Sequence, residues 1–144
     1  MCMSTVITHV VEESVYTTRF SVGAINKNHL VCNFSSTVSE GVEPTALAST
    51  MPHCVCSDTA AGAGEEVRVR LLCGSDRTCQ LVAAGKIDKA APIYTAPSGK
   101  VMGLPSSAGT YWQIGFAVKA AAANNDVFWA VLCVPRKIVV EAEL

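Results

Sequence analysis

The side chains best suited to chemistry are cysteines and a histidine gathered near the middle of the chain. His53, Cys54 and Cys56 lie close together, and Cys73 and Cys79 follow. Zinc commonly binds thiolate pairs separated by about two to four residues, together with imidazole ligands. Here one residue separates the first pair and five separate the second. Alternation on a strand would also place Cys54 and Cys56 together in a core. We therefore predict no metal and no cofactor, and keep a small metal-binding or ligand-binding β-barrel as the alternative.

The sequence contains few of the residue patterns that are typical of catalytic sites. No Gly-x-Ser-x-Gly motif occurs, so the usual nucleophile turn of the hydrolases is missing. His53 and Cys54 are neighbours, and neighbours on a strand point to opposite faces rather than forming a base and nucleophile pair. The stretch Gly62-Ala63-Gly64 resembles part of a phosphate loop, but it precedes a strand pattern instead of opening a helix. We predict that the chain is not an enzyme and has no small-molecule substrate.

The seven cysteines do not indicate a disulfide framework. Their number is odd, the chain is long for a disulfide scaffold, and no secretory signal pattern precedes them. Cys32, Cys73 and Cys133 lie within apolar runs, where a free cysteine behaves as a small buried hydrophobe. We expect reduced thiols that serve packing.

The elements that must position these residues are short strands. Val67, Val69 and Leu71 alternate with charged residues, the period of a strand with one wet face. A tight hairpin turn is predicted at 97–99 and a strand stop at Pro135. Further candidate strands cover 78–83, 91–95, 100–103, 112–120, 127–134 and 138–144. The stretch 112–120 is equally compatible with the start of a short helix, and 35–57 with a loop holding one helical turn at 45–50. The pattern predicts an all-β, single-domain β-barrel or sandwich of short strands.

The sequence pattern of the first twenty residues allows two interpretations. Segments 5–11 and 15–20 are rich in β-branched side chains and predict either two strands or one extended N-terminal arm. We assign 1–20 to this arm or first strands, and 21–144 to the β-rich domain.

Composition narrows the partners. The 144 residues are 50% hydrophobic and 16% charged, with a formal net charge of −1, so the chain should bury a core and lacks the positive field of a nucleic-acid binder. No apolar run approaches the roughly 20 residues that span a bilayer. We expect no nucleic acid, no membrane, and a soluble protein located in the cytoplasm when it is made.

Several segments, in their order, resemble the capsid decoration (cement) proteins of tailed phages. The similarity covers about residues 55–134. It rests on the stretches Ala60 to Val69, Ala83 to Ile87, Pro92 to Tyr94, Ser98 to Val101, Ile114 to Ala117 and Ala120 to Ala123, and on the apolar strand from Val127.

The resemblance implies a virion structural protein without enzymatic activity. Members of that family form trimers on the capsid exterior, bind the major capsid protein, and stabilise its lattice with the help of an extended N-terminal segment. We therefore expect a homotrimer that is made in the host cytoplasm and bound to the outside of the head. The candidate capsid-contact arm residues are Val6, Ile7, Val10 and Val11, and the candidate subunit-interface residues are Trp112, Phe128 and Trp129. Aromatic anchors dominate many association energies.

Overall fold

The computed structural model describes residues 16–72 and 78–142, and these form ten β-strands and no α-helix. The all-β prediction is confirmed. The strands are β1 Tyr16–Ser21, β2 Leu30–Phe34, β3 Gly41–Pro44, β4 Cys54–Cys56, β5 Glu66–Leu71, β6 Thr78–Val82, β7 Pro92–Thr95, β8 Val101–Met102, β9 Gly109–Ala117 and β10 Val127–Val140. A single 3-10 turn, Pro97–Gly99, joins β7 to β8. The described residues contain no helix that could cross a membrane.

The first half of the chain closes into a five-stranded barrel with the order β1-β3-β2-β4-β5. The barrel closes because β1 pairs antiparallel with β5, from Tyr16 opposite Arg70 to Phe20 opposite Glu66. Each strand thereby finds a partner on both sides, which removes the exposed edges that a flat sheet of this size would carry. The predicted strand at 15–20 is present, and it belongs to the barrel wall.

The second half forms an open sheet with the order β6-β10-β9-β7-β8. The predicted hairpin turn at 97–99 is confirmed, since β7 and β8 pair antiparallel around it. The predicted stop at Pro135 is wrong, because β10 runs through it to Val140. The register between β10 and β9 shifts between Leu132 and Arg136, and a proline lacking its N–H group is tolerated at such a bulge.

Two other local predictions need correction or resolution. The segment 35–57 contains β3 and β4 instead of a helical turn, and the backbone at 45–50 forms only a turn closed by Thr50 N–H on Leu47 O, at 3.1 Å. Short strands of three or four residues carry too little periodicity to stand out from a serine-rich and proline-rich stretch. The ambiguous stretch 112–120 is a strand that ends at Ala117.

Two apolar cores hold the fold together. The main core lies between the barrel wall and the second sheet, where Val31 and Val55 meet larger side chains such as Ile93, Ile114 and Phe128. The barrel core lies inside the barrel and is built mainly from valine and cysteine, namely Cys32, Val42, Cys54, Cys56, Val67 and Val69, with Ile25, Leu30, Ala60 and Val82. A five-stranded barrel has a narrow interior, so small side chains fill it.

Candidate interaction surfaces

The predicted arm residues Val6, Ile7, Val10 and Val11 lie outside the described residues. The described chain begins at Tyr16, whose ring lies 5.8 Å from the Arg70 guanidinium carbon. Arg70 Nη1 in turn donates to Thr78 O at 2.9 Å. Tyr16 therefore lies at the corner where the barrel and the first strand of the second sheet meet.

An exposed apolar face covers the outside of the second sheet. On β10 the residues Phe128, Ala130 and Leu132 point into the main core, so the alternating residues point outwards. Trp129 is 41% exposed and Val127 is also exposed. Phe116 on β9, which is 48% exposed, lies directly opposite Val131. We call Phe116, Val127, Trp129 and Val131 the outer face. Contiguous apolar surface of this kind commonly marks an interaction site.

The three predicted interface residues have different positions. Trp129 lies on the outer face. Phe128 is only 2% exposed and belongs to the main core, so its side chain has no surface to offer a neighbour. Trp112 is partly buried against the main core, and its indole N–H donates to Ser49 O at 3.2 Å, which attaches the loop between β3 and β4 to the second sheet. Phe116 was not singled out from the sequence, although its alternation with Ile114 was a readable signal.

The structure does not gather His53, Cys54 and Cys56 around a common point, and Cys73 lies outside the described residues. The His53 ring stacks on Phe34 with centroids 4.8 Å apart, and its Nδ1 accepts the Phe34 N–H at 3.0 Å. Partial burial lowers the His53 pKa below its usual value. Cys54 and Cys56, as expected from alternation, both lie in the barrel core. Within ranges 16–72 and 78–142, no group of three potential ligand side chains could hold a metal ion.

The surroundings of the three barrel cysteines shift their thiol pKa values in different directions. Hydrogen bonding to Cys56 and burial both raise the Cys32 pKa, and burial raises the Cys54 pKa to about 12. The hydrogen bond from Cys32 lowers the Cys56 pKa. Cys56 is therefore the thiol of this group that ionises most easily, although its side chain is buried.

The glycine-rich stretch forms a plain turn. The Gly62 N–H donates to Glu65 Oε2 at 2.7 Å, and the Ser21 hydroxyl donates to Gly62 O, also at 2.7 Å. A carboxylate of the chain itself thus occupies the amide that a phosphate would need. No hydrogen bond in the described part of the chain joins a histidine ring to a hydroxyl or thiol group, which is the contact that activates most nucleophiles.

Two open grooves of moderate size mark the surface. One, of about 510 Å³, is lined mainly by amide and basic side chains, among them Asn26, Lys27, Gln80 and Asn125. The other, of about 490 Å³, lies beside the loop 103–107. The lining of the second groove includes Lys86, Asp88 and the hydroxyl groups of Ser106, Ser107 and Tyr111, and the Tyr111 hydroxyl donates to Ser107 O at 2.9 Å.

No protein-family model matches the chain, and no curated protein matches it. Among solved structures, the chain is similar to the N base of the head fiber gp8.5 of bacteriophage phi29, with a TM-score of 0.64 and 16% sequence identity. The match covers 89% of this chain and 98% of that chain. At this identity the similarity shows a shared fold, and it extends over both the barrel and the second sheet.

Proposed function

We propose that this chain is a structural protein of a bacteriophage head, bound to the outside of the capsid as a decoration protein. The observation that carries the proposal is the fold shared with a phage head-fiber base over nearly the full length of both chains. The order of segments that resembles decoration proteins supports the same conclusion independently. The protein works by binding and not by catalysis.

The proposed partner is the major capsid protein, which presents many identical sites. When three subunits of one trimer each make a weak contact, linkage raises the overall affinity by orders of magnitude. The residues Val6, Ile7, Val10 and Val11 serve as the capsid-contact arm and add a strand to an exposed capsid edge by main-chain pairing. The position of Tyr16 at a corner of the molecule supports this proposal, because an arm leaving there need not cross either core.

Co-sedimentation with empty capsids of the phage that encodes the chain tests the capsid contact. The full chain is expected to pellet with capsids in a fixed ratio to the major capsid protein. A variant lacking residues 1–15 should keep its thermal midpoint but lose most of the pelleted fraction. If the shortened chain pellets equally well, the arm assignment is wrong. If the full chain neither pellets nor occurs in purified particles, the decoration function is wrong.

The outer face is the proposed contact between subunits of the trimer, with Trp129 as its aromatic anchor. Trp129→Ser should convert a trimeric mass to a monomeric one in native mass spectrometry, because burying a large aromatic ring supplies much of a small interface's energy. Leu104→Ser is the matched control, since Leu104 is 74% exposed but lies in a loop off this face. A monomeric parent chain, or a trimeric Trp129→Ser variant, would contradict the assignment.

A further inference from the structure

The barrel core contains three cysteines on two paired strands. Cys32 lies on β2, and Cys54 and Cys56 lie on the neighbouring strand β4. All three side chains are buried in the barrel core, and all three are free thiols. Packing of the narrow barrel accounts for their size, and their positions on paired strands also permit a chemical reaction between them.

The strand register places one pair directly across from each other. Cys32 is the antiparallel partner of Cys54, while Leu30 is the partner of Cys56. Directly opposed residues have Cα atoms roughly 4.5–5.5 Å apart, which lies within the range of about 4.4–6.8 Å that a disulfide needs. Diagonal pairs such as Cys32 and Cys56 are separated by roughly 7–8 Å. The backbone therefore favours a link between Cys32 and Cys54.

The present side-chain orientations are those of the reduced protein. The Cys54 thiol already points to Cys32, with its sulfur 3.8 Å from Cys32 O. The Cys32 thiol is directed to Leu30 O, at 3.6 Å, and the Cys56 thiol to Asp58 O, at 3.3 Å. A disulfide requires both sulfur atoms to turn from these carbonyl oxygens towards each other.

We propose that Cys32 and Cys54 form a cross-strand disulfide when the chain folds in the presence of a low-molecular-weight disulfide. One thiolate attacks a sulfur of the oxidant, which gives a mixed disulfide and releases one small thiol. The second thiolate then attacks the protein sulfur of that mixed disulfide, forms the S–S bond, and releases the second small thiol. The two cysteines lose two protons and two electrons, and the oxidant is reduced to two thiols.

Burial decides when this reaction occurs. The raised pKa values of Cys32 and Cys54 keep both thiols protonated in the folded barrel, and the sulfur atoms are shielded from solvent. Exchange is therefore fast during folding, while the strands are open, and slow afterwards. The barrel should retain the redox state in which it closed.

Refolding of the full chain from urea in glutathione buffers tests the proposal. In an oxidising buffer, acid quenching, alkylation and peptide mass mapping should show a chain with two fewer free thiols, linked between Cys32 and Cys54. The link should raise the thermal midpoint by roughly 5–10 °C, because it restricts the unfolded chain between these positions. In a reducing buffer all seven cysteines should be alkylated.

Cys54→Ser and Cys56→Ser form a matched pair of variants on one strand and one face. Cys56→Ser should keep the linked product and the gain in thermal midpoint, and Cys54→Ser should lose both. Seven free thiols in the parent chain after oxidative refolding, or a link from Cys32 to any other cysteine, would overturn the assignment. If Cys54→Ser fails to fold, the peptide map of the parent chain and of Cys56→Ser still decides.

Discussion

The barrel and the second sheet bury their apolar side chains in different ways. The barrel pairs all its strands in a closed ring and fills a narrow interior with valine and cysteine. The second sheet stays open, buries larger side chains on its inner face, and leaves Phe116 and Trp129 exposed on the other face. The barrel is thus closed within one chain, while the second sheet leaves exposed the apolar outer face that we propose as a subunit contact.

The largest effect should come from filling the closest backbone approach in the second sheet. A Cβ atom on Gly115 would collide with the carbonyl oxygen of Val131 on the neighbouring strand. Gly115→Ala should lower the free energy of unfolding by about 5 kcal/mol or more, because the main chains must move apart. Gly85→Ala is the control, since a Cβ there meets nothing within 4 Å. Equal urea midpoints for the two variants would contradict the close packing of β9 on β10.

The next largest loss in the free energy of unfolding is expected when a buried side chain is shortened in either core. Ile93 in the main core and Val69 in the barrel core are both fully buried. Ile93→Ala should cost about 4 kcal/mol and Val69→Ala about 2 kcal/mol in urea unfolding, because the larger side chain leaves the larger cavity. A greater loss for Val69→Ala would show that the barrel, and not the contact between the sheets, dominates stability.

The connection between the two regions depends on a buried hydroxyl group. Thr95 Oγ1 donates to Ala48 O at 2.6 Å and accepts the backbone N–H of Trp112 at 3.0 Å. Thr95→Val keeps the shape but removes both bonds, so it should cost about 2 kcal/mol. Thr110→Val on the same sheet is the control, because the Thr110 hydroxyl makes no hydrogen bond within the described residues. Indistinguishable thermal midpoints for the two variants would mean that the loop 45–50 is held by other contacts.

The smallest effect should be a pH dependence on the barrel side. Because the His53 pKa is lowered on folding, the unfolded chain takes up a proton at a higher pH than the folded chain does. Stability from this group is therefore complete above pH 6.5, the ordinary histidine value, and is lost as the pH falls through the folded pKa. Urea unfolding at pH 7.5 and pH 5 should show a smaller decrease for His53→Gln than for the parent chain.

His29 provides the comparison for that measurement, since its pKa is also lowered by burial. The backbone at His29 has a positive φ of 67°, which asparagine tolerates better than most residues, so His29→Asn is the suitable substitution. The two variants together should remove the part of the pH dependence that comes from His29 and His53. An unchanged slope in His53→Gln would contradict the lowering of the His53 pKa by burial.

Strands with a clear alternation of apolar and polar residues can be predicted from the sequence, and strands without it cannot. The alternation around Val67 and the turn at 97–99 predict β5 and the β7–β8 hairpin because each signal is local. β3 and β4 are too short to be recognised in a serine-rich segment, and Pro135 fits inside β10 only because a bulge in the pairing with β9 accommodates it.

For the predicted interface residues, tertiary packing decides which side chains are buried and which are exposed, because the sequence pattern does not. The run 127–134 is apolar throughout, so the sequence does not show which alternate residues face inwards. The structure assigns Phe128 to the main core and Trp129 to the outer face. Phe116 joins Trp129's side of the sheet through the register of β9 against β10, a relation between distant parts of the chain.

The bulge in β10 also limits how copies of this chain can meet. Among the described residues β6 pairs with β10 from Val127 to Val131, and β10 has no partner strand among them on that side beyond Val131. Pro135 and the adjacent cations Arg136 and Lys137 interrupt and repel edge-to-edge pairing there. Pairing of this edge with a strand of a second molecule is thereby disfavoured, which lowers the tendency of the chain to aggregate through its sheet edge.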